Sequence, residues 1–149
     1  MSADRAPSAV SAEEVSAYFE TLDMDVAGVT IEVMKQDYVR CRWTYDGDRT
    51  RPGGYIPGPT QMMLVDLVVW VAVFTRAGIA PMAVTSELAI NFLRPAVGGD
   101  LIAEAHLRKY GRLSYADVTL HIDGKPDKLV SSAKATYAVP DDVLALTRP

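Results

Sequence analysis

The stretch PGPTQMMLVDLVVWVAVFTRAG, residues 57–78, decides the fold of this chain. From Thr60 to Ala77 it contains neither glycine nor proline, enough for about five helical turns. Pro59 suits the first helical position, where it has no amide hydrogen to leave unpaired, and Gly78 is a natural terminator. Apolar residues fall on nearly every side of this helix, so it has to be buried on nearly every side. One charge interrupts them. Asp66 is the lone carboxylate between Tyr55 and Phe74. An unpaired buried carboxylate costs on the order of several kcal/mol, so Asp66 should be paired, solvated in a cleft or neutral.

The flanking sequence supplies what buries the helix. Ser11-Ala12-Glu13-Glu14 has capping-box spacing, and Val15, Tyr18, Phe19 and Leu22 follow at the intervals of a short amphipathic helix. Val29, Ile31 and Val33, then Val39, Cys41, Trp43 and Tyr45, alternate with polar residues, which predicts two strands joined near Gln36-Asp37. Residues 46–58 read as a loop rich in glycine, proline and aspartate. Four more strands are predicted over residues 84–93, 101–109, 113–123 and 128–139, with hairpin turns at Tyr110-Gly111 and Asp123-Gly124. The order gives an α+β chain: one antiparallel sheet wrapped around the long helix, with a short N-terminal helix. Residues 1–149 read as a single domain, with 1–10 a loose N-terminal tail and 140–149 a C-terminal tail.

Composition narrows the function. A net charge of −4 with scattered basic residues argues against a nucleic-acid partner, because no basic stripe is available for phosphates. Cys41 is the single cysteine, which excludes an intrachain disulfide and a cysteine-built metal site. His106 and His121 fall on polar strand faces and match no metal or triad spacing, so both are expected at the surface. The N-terminus lacks an apolar core of signal-peptide length. The longest apolar run, Leu64 to Phe74, falls short of the roughly 20 residues a membrane span needs. A cytoplasmic protein with no membrane attachment is expected.

The residues also suggest chemistry. Gly58 opens the helix, where unpaired amides and the helix dipole favour negative charge. A substrate carbonyl placed there would be polarised and its oxyanion stabilised. Pro59 removes one donor, leaving Gly58 and the amides from Thr60 onward. Asp66 lies eight residues further along, about 12 Å by helical rise, so it cannot meet Gly58 of its own chain. Two such helices packed antiparallel about a two-fold would bring the Asp of each near the Gly of the other. A structural carboxylate capped by a hydroxyl or an amide remains the alternative for Asp66.

The segment from Tyr55 to Asp66, with AVTSELAINFLRPAVGGDLIAEAHLRKYGR over residues 83–112, resembles the hotdog-fold thioesterases. Within them it is most similar to the phenylacetate-pathway (PaaI-like) branch acting on acyl-CoA. The resemblance covers roughly residues 28–139, and Asn91–Ala96 with Gly98-Gly99-Asp100 is its most specific part. Where the family has a His-Gly-Gly turn this chain has Pro57-Gly58-Pro59, and Arg51 and Ala89 stand where relatives often have Asn.

The resemblance implies an acyl-CoA thioesterase with a hotdog fold, no cofactor and no metal, assembled as a homodimer or a dimer of dimers with shared sites. Asp66 would be nucleophile or general base on a thioester held at Gly58 of the partner subunit, and Thr85 would support the carboxylate or a water. Arg94, Lys109 and Arg112, at strand ends, would be within reach of coenzyme A phosphates. Tyr55, Thr60, Gln61 and Met62 would line the substrate. The alternative is a non-catalytic acyl-CoA binding or regulatory protein on the same fold, which the changes at Pro57, Pro59 and Arg51 favour. A hotdog dehydratase would need a histidine paired with an acid near the central helix, and neither histidine lies there.

Overall fold

The computed structural model describes residues 4–24, 26 and 28–147. Helix α1 (Ala12–Glu20) starts at Ser11, whose hydroxyl accepts from the Glu14 amide at 3.1 Å. Strands β1 (Val29–Lys35) and β2 (Tyr38–Trp43) form a hairpin in which Asp37 takes a positive φ of 67°. Helix α2 (Gly58–Ala77) follows, then β3 (Val84–Phe92), β4 (Leu101–Lys109), β5 (Leu113–Ile122) and β6 (Leu129–Ala138), and a last helix α3 (Asp141–Thr147). The six strands make one antiparallel sheet in the order β1-β2-β4-β5-β6-β3. This is the α+β, helix-in-sheet arrangement expected from the patterning.

Small residues let the sheet take the helix. Ala103, Ala105, Ala116, Ala133 and Ala135 are buried at the centre of the inner face. Leu64, Val65, Val68, Val69, Val71 and Phe74 of α2 are fully buried in the same core. Large side chains on the helix thus fill space that small ones on the strands leave, which is how a core reaches close packing. By length and composition alone α2 is apolar enough to cross a membrane, a test that the buried core helix of a folded domain also passes. The polar residues of its first turn dilute a 20-residue average too little to matter. In this fold the helix spends that hydropathy on the sheet.

One stripe of α2 stays open. Pro59 and Met62 are exposed and Met63 and Asp66 half-buried, so the N-terminal half of the helix is not enclosed on every side. The stripe adjoins β3, an edge strand whose Val84 and Phe92 are 54% and 52% exposed.

Both expected tails are structured where they are described; residues 1–3 and 148–149 lie outside the described residues. Ala6 accepts from the Gln36 amide, Pro7 bridges Lys35, and the Ala9 amide bonds Thr75. At the other end Leu144 of α3 is buried. Its start was legible as Pro140-Asp141-Asp142, a proline followed by acids in a first turn.

The histidines correct a second expectation. His121 is 3% exposed and His106 half-buried. Their face of the sheet is polar, as its alternation says, but it carries a layer of ion pairs. Arg42 bonds Glu32, Asp100 and Asp123 at 2.8–2.9 Å. To reach Asp123 from β2 its side chain crosses β4, where Ile102 pairs with His121. His121 faces Glu104 at 3.9 Å.

Both imidazoles are held below the ordinary value of 6.5, chiefly by burial, with Glu104 opposing. The unfolded chain therefore takes up these protons first. Their contribution to stability is complete above about pH 6.5 and is lost as pH falls below it. The urea midpoint is expected to drop between about pH 7.5 and about pH 5.5, and to drop less in His121→Gln. An equal drop in both proteins would show that His121 carries none of the effect.

Candidate active site

Asp66 is held from two strands. From its place on α2 its Oδ1 accepts from the Thr85 hydroxyl of β3 at 2.6 Å and from the Tyr137 hydroxyl of β6 at 2.6 Å. The same Tyr137 hydroxyl lies 3.0 Å from the Asp66 carbonyl oxygen. Neighbouring strands deliver the two donors together, since Thr85 and Tyr137 are register partners. Among the described residues Oδ2 takes no hydrogen bond. The carboxylate is thus fixed by one oxygen and presents the other. Tyr137 is buried, and burial with the neighbouring Asp66 pushes its phenol far above its ordinary range, so it remains a proton donor.

The helix start forms a separate feature. Pro57 gives α2 no side-chain cap, and the Gly58 amide has no hydrogen-bond partner among the described residues. Such orphan amides carry the positive end of the helix dipole. The loop before it is tied down by the Ile56 amide on Ala96 at 2.8 Å and by the Arg51 amide on Tyr55 at 2.8 Å. A Cβ at Gly58 would stand 3.1 Å from Phe92 Cζ, so glycine there lets the ring cover the first turn. An open cleft of about 650 Å³ lies here, lined by Arg51, Tyr55, Gly58, Gln61, Phe92 and Arg94 among others. That volume falls within the usual range for small-molecule sites.

Four expected residues, Tyr55, Gly58, Gln61 and Arg94, therefore share one cleft. Gln61 is buried, donating to the Ile56 carbonyl at 3.3 Å, while its Oε1 has no partner among the described residues. Thr60 and Met62 sit on the same turn of helix without lining the cleft. Thr85 joins Asp66 directly. Lys109 and Arg112 are elsewhere: Arg112 borders a hollow with Arg76 and Asp141 at the C-terminal end of α2, and Lys109 ends β4 beside that turn. Neither reaches the Gly58 cleft within one chain.

Asp66 faces its own small hollow with Met24, Val26, Met63, Leu67, Trp70 and Tyr137. Gly58 does not border it, in keeping with their separation along the helix. Tyr137 was missed as a site residue because it falls in phase with Ala133 and Ala135 on a core-facing strand. A phenol on such a face, which needs a polar partner inside, was the available signal.

A single antiparallel sheet wrapped around a long central helix defines the hotdog class of protein. A family model described as the thioesterase superfamily matches residues 53–126. A Saccharolobus solfataricus protein named as an esterase is 31% identical over 113 residues, 75% of this chain and 73% of that protein. Among solved structures, a protein of Silicibacter sp. TM1040 described as a thioesterase superposes with a TM-score of 0.81 at 27% identity, covering 92% of this chain and 96% of that one. The Escherichia coli PaaI protein of the phenylacetic acid degradation operon shares the fold, with a TM-score of 0.73 at 21% identity over 86% and 91% of the two chains. This chain belongs to the thioesterase superfamily, a family of thioester hydrolases.

Hydrogen bonds to a charged group contribute about 1.5–3 kcal/mol, more where the donor is buried. Tyr137→Phe is expected to lower the unfolding free energy by about that amount, and Thr85→Val, on the exposed strand, by less. Urea denaturation reads both, and equal losses would contradict the difference in burial.

Proposed function

We propose that this protein hydrolyses acyl-CoA thioesters as a homodimer, each site combining Asp66 of one subunit with the helix start at Gly58 of the partner subunit. The observation that carries the reading is the presentation of Asp66. A carboxylate half-buried on an apolar helix, pinned through Oδ1 by two hydroxyls, keeps Oδ2 in position for chemistry.

Two routes use that oxygen. Oδ2 can attack the thioester carbon, expelling the coenzyme thiolate and leaving an anhydride that water then cleaves. Alternatively it takes a proton from a water that attacks the same carbon. In both, negative charge develops on the carbonyl oxygen, where the Gly58 amide and the helix dipole stabilise it. Arg94, which lines the same cleft as Gly58, suits the coenzyme phosphates.

The need for a partner follows from distance, since about 12 Å of helix separates Asp66 from Gly58 within a chain. The surface suited to it is the open stripe of α2 with the apolar edge strand β3. A long exposed edge of this kind is a ready template for pairing with a second chain. A dimer of dimers would build on the same unit.

Free-CoA release from a panel of acyl-CoAs tests the chemistry. Asp66→Asn is expected to lose at least about a hundredfold in turnover. Binding of acyl-CoA without hydrolysis by either protein would instead favour a binding protein on this fold, the reading the two prolines around Gly58 support. Sedimentation tests the assembly: Val84→Lys, which places a charge on the edge strand, should be monomeric and inactive. A monomeric variant with full activity would rule out the shared site.

A further inference from the structure

The two hydroxyls that reach Oδ1 of Asp66 are not equivalent. Thr85 comes from β3, the edge strand, where it is exposed and where the register with β6 slips between Thr85 and Glu87. Its hydroxyl makes a single bond to the carboxylate, at 2.6 Å. Tyr137 comes from β6, one strand in from the edge, and is paired on both sides, with Ser114 of β5 and with Thr85. It is buried. Its hydroxyl meets two oxygens of one residue, Oδ1 at 2.6 Å and the main-chain carbonyl at 3.0 Å.

A carboxylate held by one hydrogen bond can still turn about its last torsion, which is broad, and exchange Oδ1 for Oδ2. A hydroxyl that spans Oδ1 and the carbonyl of the same residue ties the side chain back to its own helix. Oδ2 is then the one oxygen left open among the described residues. The tie is lasting. Burial, with Asp66 beside it, keeps the phenol far above its ordinary range, so the donor is present at every working pH. The ring that carries it has only two torsions to fix. Both contacts are made within one chain, behind the edge strand, and so do not depend on what covers β3.

We propose that Tyr137 is the positioning residue of the reaction: it selects Oδ2 as the reacting oxygen and governs the chemical step, with Thr85 in a lesser role. The proposal deepens the hydrolase reading above and rests on it. Misplacing a reacting group by about 1 Å costs on the order of a hundredfold in rate, and a freed carboxylate should approach that scale. Asparagine at position 66 supplies the control. It still offers an Oδ1 to both hydroxyls but has no oxygen left to react.

The test measures kcat and KM with the best acyl-CoA of the panel. Tyr137→Phe should lower kcat by about tenfold to a hundredfold and leave KM within about twofold, because the loss falls on the chemical step. Thr85→Val should lower kcat by less. Added to Asp66→Asn, Tyr137→Phe should change the residual rate by less than about twofold, whereas a merely structural defect would lower both backgrounds alike. Tyr137→Met, a flexible filler without a donor, gives a second variant should Tyr137→Phe not fold. Wild-type kcat in these variants, a loss no larger than that of Thr85→Val, or an equal loss in the Asp66→Asn background overturns the proposal. Infrared difference spectra, wild type minus Asp66→Asn, read the carboxylate without turnover. Bonds to one oxygen widen the splitting of its two stretches, so Tyr137→Phe should narrow it. If no acyl-CoA is hydrolysed, the hydrolase reading fails and the claim on the rate fails with it; an unchanged splitting overturns the placing of the carboxylate as well.

Discussion

A helix apolar nearly all round has to be enclosed, and the rest of this molecule follows from enclosing α2. A flat sheet would cover only one side, so the strands curl, and they can curl closely because alanines occupy the centre of the inner face. The enclosure is incomplete along one stripe at the N-terminal half, from Pro59 through Met62 and Met63 to Asp66. The charge in the helix therefore lies at the boundary between core and surface, where a carboxylate can be held without being sealed in.

That boundary is also where the sheet ends. β3 follows α2 in sequence but joins the sheet beyond β6, at the edge. The crossover sets Thr85 and Tyr137 side by side, one on an exposed edge and one in the interior, and both reach the same oxygen of Asp66. The carboxylate is stabilised by neutral donors instead of a cation. Both donors share one oxygen and leave the other open among the described residues, whereas a guanidinium partner would occupy both. The ion pairs of this protein are concentrated on the opposite face, around Arg40 and Arg42.

Much of this was legible in the residues. Periodicity located α1, α2 and all six strands to within about two residues, because a period of two and an apolar block are strong local signals. Asp66 stood out as the lone charge in that block. His121 and the N-terminal residues were misread for one reason: burial there comes from side chains and strands distant in sequence. The Arg42 side chain crosses a neighbouring strand, and the N-terminal residues dock on Gln36, Lys35 and Thr75.

By itself the sequence determined a sheet around a buried helix, a carboxylate within that helix and unpaired amides at its start, since each depends on residue type and spacing along the chain. The tertiary structure decided which groups meet. It joined Tyr137 to Asp66 across 71 positions, sent Lys109 and Arg112 to the far end of α2, and separated the hollow at Asp66 from the cleft at Gly58. Contacts of that kind depend on strand order and on the path of the crossover. Local pattern carries no record of either, because a strand's alternation is the same whichever neighbour it pairs with.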